Sequence, residues 1–305
     1  MNINIEEFKS ICKMSQKTLK HHLANTLSKV YPNVVVEDGY VFAQGKFPVL
    51  LVAHMDTVHK TSPKGFVYDE KQQTISSHQG IGGDDRCGIY MIMEVINRYN
   101  CSVLFCEDEE IGAVGASKFA DSELIKDLQF NYIIEFDRKG SKDAVFYDCD
   151  NEDFEEFITK EFYKTDWGSF SDISVIAPAL GCAAVNLSCG YYNAHTNKEY
   201  VVIKEMAESI EAACKILERT TEDDKFEYIE AARSYSWRNY GWYDDYFCES
   251  DDGYKETYFI IEYEDEKGDV QWQEVEAYNR AEAIGMFCVE NPRIPYENVI
   301  GVCTM

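Results

Sequence analysis

His54-Met55-Asp56 is the first of a series of imidazole and carboxylate groups that recur along the chain where apolar runs end or helices begin. Gly82-Gly83-Asp84-Asp85, Glu109-Glu110, Asp137 and His195 follow in order. Imidazole and carboxylate are the donors that suit Zn²⁺ and related borderline cations. A hydrolytic centre with two cations also needs a carboxylate that bridges them across roughly 3.5 to 4 Å, and a general base beside them. Asp84 is the natural bridge. It precedes a helix start, where glycines let the backbone turn tightly and the helix N-terminus favours negative charge. In an adjacent pair such as Glu109-Glu110, neighbouring side chains on a turning segment point different ways, so one can bind metal while the other meets a water.

These groups need elements that bring them together. Residues 48–56, PVLLVAHMD, form a continuous apolar run too short for a helix, which is how a strand buried on both faces reads. CSVLFCEDEE, NYIIEFD and GCAAVNLSCG read the same way. Helical spacing of Phe8, Ile11, Leu19, Leu23 and Leu27 predicts a helix within residues 5–31, ended by Pro32 and Asn33. VVVEDGYVFAQGKF predicts a hairpin turning at Asp38-Gly39, and residues 57–79 a turn-rich excursion. Further helices are expected at 86–99, with Ile89, Met93 and Ile96 on one face, and near 151–163 and 203–219. Strands alternating with helices imply an α/β fold, a mixed, mostly parallel sheet sandwiched by helices. Ligands gather beyond the carboxyl ends of such strands, and His54, Asp56, Glu109, Glu110 and Asp137 all fall there.

Residues 1–220 are expected to form this domain. Residues 221–256 read as an acidic and aromatic connecting segment without a period, and residues 257–305 as a small ββαβ module. In the module, strands YFIIEYE and VQWQEVEAY precede a helix near 280–288 and a strand near 299–303. It carries no histidine and no clustered ligands, so its expected work is docking a protein partner, self-association or support.

The whole composition sets limits. A formal net charge of -26, with 55 acidic against 29 basic residues, opposes binding to nucleic acid and to anionic membranes. No apolar run reaches the roughly 18 residues needed to span a bilayer. The start, MNINIEEFKS, has no basic region followed by an apolar one, and the expected place is the cytoplasm. Eleven cysteines with no CxxC pair read as reduced, buried thiols.

HMDTV, GGDDRCG, EDEEIG, IEFDRKG and AHT, in this order over about residues 35–220, resemble the co-catalytic dizinc exopeptidases. That group holds bacterial aminopeptidases, tripeptidase T, glutamate-releasing carboxypeptidases and acyl-amino-acid deacylases. The resemblance implies His54 and Asp137 as ligands of one metal, Glu110 and His195 of the other, and Asp84 as the bridge. It implies Glu109 as the base that takes a proton from the attacking water and returns it to the leaving amine. Asp56 would accept a hydrogen bond from His54 and fix its tautomer. Many relatives insert a lid or dimerisation domain between the positions matched by Asp137 and His195. Here that stretch has room only for ordinary helices and strands, so the chain resembles the lidless aminopeptidase branch, although HMDTV and EDEEIG read more like the tripeptidase and carboxypeptidase branch. Ser171-Asp172 falls where the lidless branch often has a Ser-Asp pair near the pocket, the alternative being a helix cap or turn. Tyr191 and Tyr192 are candidate phenolic donors to an oxyanion. Asp85, Arg86 and Asp108 either support the ligands or lie on the surface, and His21, His22, His59 and His78 are expected on the surface.

The implied function is metal-dependent hydrolysis of a peptide bond at a chain end. An aminopeptidase acting through two divalent ions fits best, zinc by default with Co²⁺ or Mn²⁺ allowed. The substrate would be a peptide or small amide. A small-molecule amidohydrolase or deacylase of the same clan and a non-catalytic binding protein on the same fold are the alternatives.

Overall fold

The computed structural model describes residues 1–231 apart from 161 and 169, and beyond them residues 257–265, 267, 270–277, 286–287, 291, 294 and 298–304. The chain divides into two compact units, Met1–Ala232 and Arg233–Met305.

The first unit opens with α1 (Ile5–Lys13) and α2 (Gln16–Leu27). The single helix expected from the apolar spacing is two, because Met14 is extended and the Ser15 side chain caps α2 by accepting from the Thr18 N–H. A hairpin follows, β1 (Val34–Glu37) and β2 (Tyr40–Ala43), with Glu37 opposite Tyr40 and the turn at Asp38-Gly39 as expected. Next come β3 (Phe47–His54), β4 (Val67–Asp69), β5 (Thr74–Ser76), α3 (Gly83–Ile96), β6 (Cys101–Cys106) and α4 (Val114–Ala120). The rest of the unit is β7 (Tyr132–Arg138), β8 (Asp143–Val145), α5 (Glu152–Thr159), β9 (Lys164–Asp166), α6 (Ile173–Leu180), β10 (Ala184–Ser188), β11 (Tyr191–Tyr192), β12 (Tyr200–Val202) and α7 (Ile203–Arg219).

Eight strands form one sheet in the order β1-β2-β6-β3-β7-β10-β8-β9. Its centre, β6, β3, β7 and β10, is parallel, while β2 and β8 join it antiparallel, so the sheet is mixed and mostly parallel as expected. Alternate residues of β3 enter opposite layers of the core. Val49, Leu51 and Ala53 pack with residues of α1, α2, α3 and α7, and Leu50 and Val52 with Phe119 of α4 and Ile173 and Ile176 of α6. Each buried Val or Leu removed from water contributes about 1.5–3 kcal/mol, so the central strands carry a large share of the packing energy of the unit. Helices α4 and α6 were not anticipated. α4 is one short run with two small residues in its first turn, and α6 is apolar on nearly every face and contains Pro178, so neither carries a clear helical period.

The excursion after β3 contributes β4 and β5 to a second sheet, ordered β11-β12-β5-β4, which flanks the loop bearing His195. The cysteines of the first unit are buried and free of disulfides. Backbone bonds tie residues 226–231 to this unit, Phe226 N–H to Asn131 O and Ala231 N–H to Asp148 O, so it runs past the expected boundary at residue 220. Residues 232–256, the remainder of the expected connecting segment, lie outside the described residues.

In the second unit, β13 (Thr257–Glu264), β14 (Val270–Ala277) and β15 (Val299–Thr304) form an antiparallel sheet ordered β14-β13-β15. Ile261 is fully buried there and packs with Phe259, Val275 and Phe287. The helix expected near 280–288 lies largely outside the described residues. Among the described residues no helix is long and apolar enough to cross a membrane.

Candidate metal centre

The parallel strands β3, β6, β7 and β10 end at one edge of the sheet, and the chain leaves each end carrying polar groups. His54 is the last residue of β3, opposite Cys106, the last of β6. Asp137 stands near the end of β7. Glu109 and Glu110 lie on a short 3-10 turn just after β6. Asp84 and Asp85 sit at the mouth of α3 with non-helical backbone, so regular helix starts only at Arg86. Gly82 adopts a left-handed conformation, φ 68° and ψ 41°, that glycine supplies without a steric penalty.

The carboxylate of Asp84 lies between two imidazoles. Its Oδ1 is 3.1 Å from His54 Nε2, and its Oδ2 is 3.1 Å from His195 Nε2. Asp137 Oδ1 is 3.5 Å from the same His54 nitrogen, and Glu110 Oε2 is 3.1 Å from the same His195 nitrogen. Glu109 Oε2 stands 4.0 Å from His54 Nε2. All five residues expected as ligands, and the expected base, therefore meet at one place. Potential donor atoms of His54, Asp84 and Glu110, and likewise of His54, Asp85 and Asp137, lie within 4.8 Å of one another. Glu110 Oε1 is buried with no hydrogen-bond partner. A convergent set of imidazole and carboxylate donors with an orphaned buried oxygen fits a divalent cation, because burying such charges unpaired is costly.

Asp56 does more than the resemblance implied. Its Oδ1 is 3.1 Å from His54 Nδ1, and an Nδ1–H donated there leaves Nε2 free to face the cluster. The same carboxylate accepts the N–H of Glu109 on Oδ1 and of Glu110 on Oδ2, both at 3.0 Å. One side chain thus orients an imidazole of β3 and the whole acidic turn. Asp85 and Arg86 are buried supports. Asp85 accepts from the N–H of His54 at 3.3 Å and of Gly88 at 2.8 Å, while Arg86 donates to the carbonyl of Met55 and, at 3.1 Å, of Met14. Asp108 instead accepts from Gln16 at 2.9 Å.

The charges shape one another. Burial opposes charge on His54, but Asp137 and Asp56 outweigh it and raise its pKa well above the usual imidazole value. Hydrogen bonds donated by His195 to the carboxylates of Asp84 and Glu110 raise its pKa to about 11. Burial would raise Asp84, yet the two imidazoles hold it well below the ordinary carboxylate range. Burial, reinforced by the charge of Asp84, pushes Asp137 up to about 7. Glu109 and Glu110 are also raised, burial being the main cause.

Several supporting residues were not visible in the sequence. Between Asn186, opposite Glu135, and Ser188, opposite Arg138, two residues of β7 face one of β10. Asn186 fills this bulge: its Oδ1 accepts the Asp137 N–H at 2.8 Å and its Nδ2 donates to the Asp137 carbonyl at 3.1 Å. Glu199 is fully buried and accepts from the N–H groups of Gly82 and Asp84. His59, expected on the surface, turns inward to this carboxylate, with Nε2 2.9 Å from Oε2. The nearby short-range signal, an acid four residues after His195, had no meaning until the loops were in place. His21, His22 and His78 are exposed as expected.

Ser171 and Asp172 are both buried. The Ser171 hydroxyl donates to Glu135 and lies 3.4 Å from Asp137 Oδ2, whereas Asp172 starts α6 without making a cap bond. Burial pushes Asp172 up to about 7. Tyr191 donates to Asp137 Oδ1 at 3.3 Å, and Tyr192 is turned away to Glu205 at 2.6 Å. A cavity of about 850 Å³ opens along α7 beside the N-terminal residues and includes none of the candidate ligands.

No family model and no curated protein matches the chain. Solved structures do. Aminopeptidase PepT from Bacillus cereus is 15% identical, with a TM-score of 0.54 over 70% of this chain and 97% of that one. A tripeptidase from Staphylococcus aureus is 14% identical, with a TM-score of 0.56 over 70% and 96%. A TET aminopeptidase from a marine-sediment thaumarchaeon is 14% identical, with a TM-score of 0.53 over 72% and 98%. The mixed sheet of the first unit, with its flanking helices, is the zinc-exopeptidase fold.

Proposed function

We propose that the first unit is a dinuclear metallo-exopeptidase, an aminopeptidase in its most direct reading. The observation that carries this is Asp84, whose two oxygens each face a different imidazole, an arrangement suited to bridging two cations. His54 and Asp137 would hold one cation, Glu110 and His195 the other. The mixed imidazole and carboxylate set suits Zn²⁺, with Co²⁺ and Mn²⁺ compatible. When bound, such a pair supplies Lewis acidity towards an amide carbonyl and acidifies an attacking water.

The chain's own groups do the rest. Glu109 stands beside the ligands without being needed as one, and its Oε2 is the atom to take the proton of the attacking water and return it to the leaving amine. Burial raises its pKa, which suits a carboxylate that must hold a proton between two steps. Asp56 keeps the His54 tautomer and the Glu109-Glu110 turn in place throughout. Peptides carrying a free ammonium group suit the acidic surroundings, and the buried free thiols suit a reducing compartment such as the cytoplasm.

Metal-loaded protein is to be tested on aminoacyl-anilides, dipeptides and acyl-amino acids. Release of the N-terminal residue from the first two supports the reading. Turnover of acyl-amino acids alone identifies a deacylase. No turnover with two metals bound identifies a binding protein. Glu109→Gln is expected to keep near-normal metal content and lose activity by about 10²–10⁴-fold, and unchanged turnover contradicts its role.

A further inference from the structure

Glu199 lies outside every residue assigned above to ligand or base, yet it is wholly inaccessible to solvent. A buried carboxylate persists only where donors satisfy it. Here Oε2 accepts the Gly82 N–H at 2.7 Å and faces His59 Nε2 at 2.9 Å, and Oε1 accepts the Asp84 N–H at 3.0 Å. Two of these donors are peptide groups of the turn that presents the bridging carboxylate. The turn is also shaped around the acid. A Cβ on Gly83 would come within 3.2 Å of Glu199 Oε1, 2.9 Å of Val201 and 3.0 Å of Tyr191, and one on Gly80 would run into the His59 ring.

The loop before Glu199 is braced within itself. Thr196 Oγ1 donates to Asn193 O at 2.8 Å and accepts the Lys198 N–H at 3.2 Å, and the Glu199 N–H reaches Thr196 O at 3.2 Å. His195 and Glu199 therefore ride on one braced loop, one facing Asp84 through its imidazole, the other holding the Asp84 backbone.

We propose that Glu199, steadied by His59, is the positioning residue for the bridging carboxylate: it fixes the Gly82–Asp84 turn to the His195 loop, so that Asp84 faces both imidazoles at once. The role rests on the metal-centre reading. It differs from mere packing in one respect: loosening Glu199 must weaken metal binding by protein that is still folded. Glu199→Gln keeps the shape but places an amide N–H against an existing donor. With the amide oxygen at the Oε2 position the NH₂ meets the Asp84 N–H, and in the opposite flip it meets the Gly82 N–H.

The test is titration of chelator-treated full-length protein with Co²⁺, followed by visible absorption and by competition with a chelator, beside steady-state kinetics. Glu199→Gln is expected to weaken Co²⁺ binding about 10–100-fold, the usual effect of removing a group that orients a ligand, and to lower kcat with little change in KM. His59→Ala is expected to change both in the same direction by less, since the peptide donors remain. Co²⁺ affinity within about twofold of wild type in folded Glu199→Gln overturns the role. If that variant does not fold, His59→Ala decides, and wild-type affinity there overturns it. Wild-type protein that binds no Co²⁺ removes the metal centre and this role with it, whereas tight wild-type binding with unaffected variants removes this role alone.

Discussion

Asp137 makes a prediction whose sign runs against intuition about conserving a buried charge. Its side chain is 9% exposed, and burial with the neighbouring Asp84 lifts it from 3.8 to about 7 in the metal-free chain. The unfolded chain releases this proton near pH 4, while the folded chain holds it to about 7. The folded state therefore binds more protons in that window, and its stability falls as pH rises from about 4 to about 7. A shift of roughly three units corresponds to about 4 kcal/mol. Asp137→Asn removes the ionisation, and because the opposing pull of His54 is already contained in that shift, about 4 kcal/mol is the expected net gain. In excess chelator at pH 8 the variant is expected to be more stable than wild type by that amount, with the difference vanishing near pH 4. Hydrogen exchange of peptides from β3 and β7 reports opening of the first unit by itself. With divalent metal added at pH 8 the order is expected to reverse, because wild type gains more from binding than a variant lacking one of the proposed ligands. A variant less stable than wild type at pH 8 in chelator, or a gain equal at pH 4 and pH 8, refutes this account.

The imidazoles give a companion result. His54 is raised well above its usual value and His195 to about 11, so both hold protons at pH 7 in the metal-free chain and must release them to bind a cation. Metal binding at pH 7 is expected to release at least two protons, those of the two imidazoles and in part that of Asp137, with affinity rising with pH, as measured by titration calorimetry in buffers of different ionisation heat; no release contradicts the assignment. Asn186→Leu, which leaves the Asp137 N–H and carbonyl facing an apolar group, is expected to cost about 2–4 kcal/mol of stability by exchange at β7 and to weaken Co²⁺ binding. Unchanged Co²⁺ affinity in folded variant shows that the bulge holds Asp137 without the amide.

What could be read in the sequence follows from the range of each signal. The run ending at His54 marks a doubly buried strand by its own composition, and the acids at the ends of β6 and β7 fall at one edge because parallel strands end together. The Asp38-Gly39 turn is likewise a local matter. The supports are not. Asn186 matters only because β7 gains a residue against β10, and Glu199 only because a loop after β11 folds back on the mouth of α3. His59 sits in a turn-rich stretch that reads as surface, and only its pairing across the loops shows otherwise. Helix α6 was hidden for the opposite reason, an apolar composition that leaves no periodic face to see.

The balance of charge at the sheet edge argues for cations independently of the fold. Burial is the chief influence raising Asp85, Glu109, Glu110, Glu135, Asp137 and Asp172. Against them stand His54, His195 and the buried Arg86, which is spent on the carbonyls of Met14 and Met55. A network serving stability alone would gain from replacing such acids by apolar groups or amides, since isolated buried charge is costly and even well-made buried pairs are often neutral. Divalent cations change that calculation, because they bring charge of the missing sign to the atoms left short of partners, Glu110 Oε1 among them. The two accounts part at Asp137. If the cluster is only a proton-sharing network, Asp137→Asn should stabilise the first unit whether or not metal is present; if it is a metal centre, the same substitution stabilises the stripped protein and penalises the loaded one.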